Sequence, residues 1–112
     1  MEYLFYVIHF AAAGLLLNSL PHLITGVMGT PFQSPFSKPP GIGLSSPFAN
    51  IVWGGANFVV GFLLLSKVGN FSTGNNIDLA FTLAGGWLTA FALARYFTKL
   101  KAGELGEPAD QP

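Results

Sequence analysis

Three long apolar blocks constrain the fold more than any other feature of the chain. They cover about residues 3–24, 48–66 and 77–97, and the first of them contains a proline, Pro21. Each block is close to the roughly 20 residues that a helix needs to cross a hydrocarbon core of about 30 Å. Only 9% of all residues are charged, against about 25% in an ordinary soluble domain. Because lipid offers the backbone no hydrogen-bond partners, the sequence predicts an all-α integral membrane protein, a bundle of three transmembrane helices.

The remaining segments fit one small domain. Residues 1–101 hold all three blocks and a proline-rich first loop, and residues 102–112 form a polar tail that is expected to be disordered. No basic residue precedes the first block, so this block is expected to be retained as a membrane helix and not cleaved as a signal peptide.

Residues at the block boundaries are typical of helix ends. Ser46 precedes Pro47, which combines an N-cap residue with a proline at the first helical position. Asn76 offers a cap for the third helix, and Asp78 places a negative charge in its first turn, where the helix dipole favours it. Gly69 is expected to help end the second helix in a turn.

The positive residues predict an orientation. Arg95, Lys99 and Lys101 follow or end the third block, Lys38 lies in the first loop, and only Lys67 lies in the second loop. Because positive residues are retained on the cytoplasmic side, we expect a multi-pass protein of the inner (plasma) membrane with its N-terminus outside and its C-terminus in the cytoplasm.

Each block carries a stripe of small or polar residues at helical spacing. Such residues let helix backbones approach closely, and polar side chains in membrane helices normally face the interior of the bundle. We expect the glycines to serve packing only. The stripes consist of Ala11, Gly14, Asn18, His22 and Thr25 in the first block, Asn50, Gly54, Asn57 and Gly61 in the second, and Thr82, Gly85, Gly86, Thr89 and Leu93 in the third.

The polar members of these stripes converge in depth. With the orientation above and a rise of about 1.5 Å per residue, Asn18, Asn57 and Thr89 lie at one level, and His22 and Asn50 lie about one turn nearer the cytoplasm. Such a cluster either binds a small molecule or ion, or merely clamps the helices together. The predicted ligand-binding residues are Asn18, His22, Asn50, Asn57, Thr89 and Trp53.

The first loop, "TPFQSPFSKPPGIGLSSP", repeats Pro-Phe at Pro31 and Pro35. Proline stiffens a segment and removes amide donors, which favours polyproline geometry. The loop is therefore either a lid over the polar cluster or a rigid connector whose Phe32 and Phe36 rest on the membrane interface.

Several function classes find no support in the sequence. The net charge is zero with no basic run, which argues against nucleic-acid binding, and the absence of cysteine excludes thiolate chemistry and disulfides. We find no cofactor motif, no catalytic motif and no metal site. His9 lies among apolar residues and is predicted to be a packing or interface residue. The acids nearest the spans, Glu2 and Asp78, fall on the outer side.

The stretch "NSLPHLITGVMGTPFQSPFSKPPGIGLSSPFANIVWGGANFVVG" joins a Pro-His helix end to a Pro-Phe loop and an Asn-Trp-Gly helix. In this it resembles a family of small bacterial inner-membrane proteins. The resemblance covers residues 18–61. It implies an inner-membrane location and brings no activity, substrate or catalytic residue with it.

Three functional hypotheses follow. The leading one is a homo-oligomer, a dimer or trimer, that binds or transports a small polar or amphipathic molecule at the His/Asn cluster. The second is an accessory or assembly subunit of a larger membrane complex, whose polar residues meet partner helices. The third, which the sequence favours least, is an intramembrane enzyme that uses His22 as acid or base, since no carboxylate is predicted near this histidine.

Overall fold

The computed structural model describes residues 2–106 and consists of three long helices and a two-stranded ribbon. The elements are α1 (Glu2–Val27), β1 (Phe32–Gln33), β2 (Leu44–Ser45), α2 (Pro47–Lys67) and α3 (Asn76–Lys101). The prediction of three long helices is confirmed, and by length and composition each of them is apolar enough to cross a membrane. The third helix runs a turn further than predicted. Most of the tail predicted to be disordered, residues 107–112, lies outside the described residues.

Helix α1 is the centre of the bundle. It packs along both α2 and α3, whereas α2 and α3 share no comparable contact in the described part of the chain. Gly54 of α2 meets His22, and Gly61 meets Ala12, so α2 runs antiparallel to α1. Helix α3 instead runs parallel to α1, because residues 81, 85 and 89 meet residues 6, 10 and 14 in turn.

The glycines of the predicted stripes lie at these helix contacts. A Cβ atom at Gly61 would lie 2.9 Å from the carbonyl oxygen of Ala12, and one at Gly54 would lie 3.0 Å from the backbone nitrogen of Leu23. At Gly85 it would lie 2.9 Å from the Cα atom of Phe10. These distances are shorter than van der Waals contact, so the backbones of α2 and α3 approach α1 as closely as they do only because no side chain intervenes.

The stripe predicted for α2 is its buried face. Its buried residues are Asn50, Gly54, Asn57 and Gly61. The stripe predicted for α1 is incomplete, because Ala11 is exposed while Ala12, Ala13 and Ser19 are buried. A helix between two neighbours buries residues on two faces, and a single stripe cannot describe it.

The helix caps agree with the sequence except at one position. The Ser46 hydroxyl accepts a hydrogen bond from the backbone N–H of Ala49 at 3.1 Å. The cap of α3 is Asn75 and not Asn76, because the Asn75 side-chain oxygen accepts from the backbone N–H groups of Ile77 and Asp78. The predicted acid of the first turn, Asp78, is largely buried.

The first loop folds back on itself and contains a ribbon that the sequence did not predict. Strands β1 and β2 are antiparallel, and Phe32 pairs with Ser45. The Ser34 and Ser45 hydroxyls lie 2.6 Å apart, and the Ser37 hydroxyl donates to the Ser34 carbonyl at 2.7 Å. Hydroxyls and backbone carbonyls thus bond one another inside a segment in which prolines have removed amide donors.

Candidate functional site

A cleft of about 370 Å³ opens where the cytoplasmic end of the bundle was predicted. It lies on α1, between α2 and α3, and the first loop covers it. We call it the loop cleft. Its volume is in the usual range for small-molecule sites, and most of its surface is apolar. The residues that line it are Asn18, His22, Gln33, Ser34, Pro35, Pro40, Gly41, Trp53, Leu93, Tyr96 and Phe97.

The His22 ring is held in one orientation by Asn50. The Asn50 amide nitrogen donates to the carbonyl oxygens of Phe32, Ser45 and Ser46, at 3.1, 3.2 and 3.1 Å. This fixes the Asn50 oxygen toward His22 Nδ1, which lies 2.7 Å away. An amide oxygen only accepts hydrogen bonds, so Nδ1 carries a proton, and in the neutral ring the lone pair is on Nε2.

The free nitrogen of His22 faces the loop cleft. Within residues 2–106, His22 Nε2 has no hydrogen-bond partner, and every fully buried side-chain nitrogen or oxygen has one. Nε2 is therefore accessible, and because His22 lines the loop cleft, we place Nε2 at the surface of this cleft. Trp53 and Phe32 meet the His22 ring edge to face, with ring centroids at 6.5 and 5.4 Å, and hold it from the sides.

Asn57 orients Asn18 in the same way. The Asn57 amide nitrogen donates to the Trp53 carbonyl at 2.9 Å, so the Asn57 oxygen faces Asn18 and accepts from its amide nitrogen at 3.1 Å. The Asn18 oxygen has no partner in the described part of the chain and, by the argument given for His22, is accessible in the cleft. The cleft thus presents two acceptor atoms, His22 Nε2 and Asn18 Oδ1, each oriented by an asparagine of α2.

The opposite wall of the loop cleft comes from α3 and the first loop. Phe32 packs against Phe97 with centroids 4.9 Å apart, and the Tyr96 hydroxyl donates to the Gly41 carbonyl at 2.5 Å. Gly41 has a positive φ of 73°, a conformation that glycine adopts without strain. The first loop is therefore fastened at two places, to α2 through Asn50 and to α3 through Tyr96.

Tyr96→Phe is expected to loosen the loop without unfolding the bundle. The variant loses one hydrogen bond, worth about 1 kcal/mol, which corresponds to about fivefold faster cleavage of the loop by a nonspecific protease. Tyr3→Phe is the matched control, because the Tyr3 side chain is 77% exposed. Equal cleavage rates in wild type and Tyr96→Phe would show that this bond does not restrain the loop.

The structure divides the residues predicted to bind ligand into three groups. Asn18, His22 and Trp53 line the cleft. Asn50 and Asn57 lie behind it and orient the first two. Thr89 lies elsewhere, since its hydroxyl fills the space beside Gly14, 2.8 Å from where a Cβ atom would be. Its depth was predicted from helical rise, but rise alone does not say that its side chain packs on α1 away from the cleft.

No protein-family model, curated protein or solved structure matches this chain.

A second polar site lies at the other end of α1, and the sequence reasoning missed it. His9, predicted to be a packing or interface residue, is fully buried, and its Nδ1 lies 2.6 Å from Asp78 Oδ1. A signal was present in the sequence. Asp78 is the one carboxylate inside a predicted span, and α1 and α3 both begin on the same side of the membrane, so His9 and Asp78 fall at the same end. The helix dipole by itself accounts for an acid in the first turn of α3, so the sequence pattern did not predict a partner for Asp78.

Proposed function

We propose that this protein is a membrane module that binds a small amphipathic molecule in the loop cleft. The polar end of the molecule lies against His22 and Asn18, and its apolar part lies against Trp53, Leu93 and Phe97. The observation that carries the proposal is the pair of oriented acceptor atoms in a mostly apolar cleft. These two acceptors favour a ligand that donates hydrogen bonds, such as an alcohol.

The route to the cleft is lateral in this proposal. Because α2 and α3 do not pack against each other, the groove between them on α1 opens toward the acyl chains. An amphipathic molecule already dissolved in the bilayer can enter with its tail in the groove and its head beneath the loop. With the orientation predicted from the lysines and Arg95, this head lies near the cytoplasmic face of the inner membrane. Transport would require release on the other side as well.

Dodecanol and its methyl ether are suitable probes, because the ether keeps the chain and the oxygen but donates no hydrogen bond. We expect the protein in lipid nanodiscs to bind dodecanol about tenfold more tightly than the ether, as one hydrogen bond to an accessible acceptor allows. His22→Ala should remove this preference. The readout is the change in the tryptophan emission spectrum on binding, with Trp87→Phe used throughout so that Trp53 is the only tryptophan.

Thr89→Ala is the matched control, since Thr89 lies outside the cleft. It should bind both probes as the wild type does. Equal binding of alcohol and ether by the wild type, or a loss in Thr89→Ala as large as that in His22→Ala, would overturn the proposed site.

One observation favours the second hypothesis, an accessory subunit or a homo-oligomer. Trp87 lies in the middle of α3 and is 65% exposed, with Phe91 beside it. Tryptophan is normally found at membrane interfaces and not at mid-depth. The glycines that suggested a dimer or trimer pack inside the chain, so this aromatic face of α3 is the better place to look for a second copy or a partner helix. Cross-linking in native membranes distinguishes the two.

A further inference from the structure

The second polar site joins the three helices at the end of the bundle remote from the loop cleft. His9 of α1 contacts Asp78 of α3 through Nδ1 at 2.6 Å, and it contacts the carbonyl oxygen of Val68, the C-cap of α2, through Nε2, also at 2.6 Å. The Phe71 ring meets the His9 ring edge to face. One imidazole therefore connects α1 to α3 and to the end of α2.

The hydrogen bonds of His9 define how many protons the site holds. A carbonyl oxygen only accepts, so Nε2 carries a proton. The short contact between Nδ1 and Oδ1 needs a second proton, on the ring or on the carboxyl group. The site is thus either an imidazolium with a carboxylate or a neutral imidazole with a carboxylic acid, and both forms contain the same two protons and no net charge.

Loss of one of these protons cannot be accommodated without breaking a contact. If the remaining proton is on Nε2, the Nδ1 lone pair faces the Asp78 carboxylate. If it is on Nδ1, the Nε2 lone pair faces the Val68 carbonyl. Two acceptors in contact repel each other, so either α3 or the end of α2 separates from α1.

A cleft of about 270 Å³ gives water a path to this site. It is lined by Phe5, Tyr6, His9, Asn70, Asn75 and Asp78. Among side chains that the structure describes, Tyr6 of α1 is the one other titratable group facing it, and the Tyr6 hydroxyl accepts from the Asn75 amide of the α2–α3 connection at 3.2 Å. Asp78 Oδ2 has no partner in the described residues and is not fully buried, so it is accessible in this cleft. Lys67, at the end of α2, is exposed and does not line it.

We propose that His9 and Asp78 form a proton-binding site that holds the connection between α2 and α3 against α1. With both protons bound the connection is closed. Release of one proton through the cleft leaves His9 unable to satisfy both contacts, and the connection opens. The ligand of this site is the proton, and the site works without any molecule in the loop cleft.

Hydrogen exchange measured in nanodiscs over a range of pH from acid to alkaline tests this proposal. After correction for the chemical exchange rate, amides of residues 68–71 or 76–79 are expected to exchange about tenfold faster at the upper end of the range. Amides of the first loop, residues 37–43, are the internal reference, and their corrected exchange rates should not change with pH. The ¹³C carboxyl signal of Asp78 should change over the same pH range. Asp78→Asn assigns this signal, since Asp110 is the chain's only other aspartate.

Asp78→Asn is also the decisive variant. An asparagine amide can donate to the Nδ1 lone pair of a neutral His9, so both contacts survive without a shared proton. The connection should then stay closed, and its amides should exchange slowly at every pH. If this variant fails to fold, His9→Gln removes the same titration. The proposal would be overturned if exchange at the connection still accelerated with rising pH in either folded variant. It would also be overturned if the wild-type connection stayed closed across the range.

Discussion

Asn50→Ala is expected to lower the free energy of unfolding by about 3 kcal/mol, because one buried amide makes four hydrogen bonds. The substitution removes the side-chain donor to the carbonyl oxygens of Phe32 and Ser45 and leaves His22 Nδ1 without its acceptor, whereas the Ser46 carbonyl keeps its bond from the residue 50 backbone N–H. Groups like these cost more when unpaired than they contribute when paired. Reversible unfolding in mixed micelles gives the free energy, and hydrogen exchange of residues 31–45 should show that the loop is released.

Asn57→Ala serves as its control. Asn57 lies two turns along the same helix face, but it bonds only Asn18 and the Trp53 carbonyl of its own helix. Interhelical hydrogen bonds in membranes average about 0.6 kcal/mol. Asn57→Ala should therefore lower the free energy of unfolding by about 1 kcal/mol and leave the loop unaffected. Similar effects of the two substitutions would mean that Asn50 does not hold the loop.

Gly85→Ala is expected to cost roughly 3 kcal/mol, the upper end of the usual penalty for overpacking. The added methyl group would overlap the Phe10 carbonyl oxygen and lie 2.9 Å from the Phe10 Cα atom. Both atoms are backbone, so α3 must move away from α1 as a whole. The same unfolding experiment measures the loss.

Gly55→Ala is the matched comparison. Gly55 is also helical, but a Cβ atom there meets nothing within 4 Å. Because alanine is a better helix former than glycine, Gly55→Ala should be neutral or more stable by up to about 1 kcal/mol. If Gly85→Ala were equally harmless, the close crossing of α1 and α3 would not exist in the membrane.

Local pattern explains which parts of this fold could be predicted from the sequence. The buried face of α2 followed from spacing because α2 packs on one neighbour only. The buried faces of α1 could not be predicted from spacing in this way, because α1 packs on two helices. The ribbon of the first loop depends on the Asn50 amide, which bonds carbonyls as far away in sequence as Phe32, and no short-range signal reports such a bond.

The sequence predicted which residues lie at the candidate site better than it predicted what each of them does there. Amides and an imidazole on facing stripes predicted contacts between α1 and α2, and the structure has the hydrogen-bonded pairs Asn18–Asn57 and His22–Asn50. Which of them face the cleft depends on hydrogen-bond direction, which becomes visible only when the carbonyl partners of Asn50 and Asn57 are placed. His9 and Asp78 are far apart in sequence and meet only because α1 and α3 run parallel.

The most direct test of the oriented acceptors is the protonation of the His22 ring. In lipid bilayers at about pH 8, above the range in which histidines are normally charged, ¹⁵N spectra of the two histidines can be assigned with His22→Gln. We expect His22 to carry its proton on Nδ1, with an unprotonated Nε2 whose signal moves when dodecanol is added. A proton on Nε2, or an Nε2 signal that dodecanol leaves unchanged, would contradict the assignment of His22 Nε2 as an acceptor facing the loop cleft.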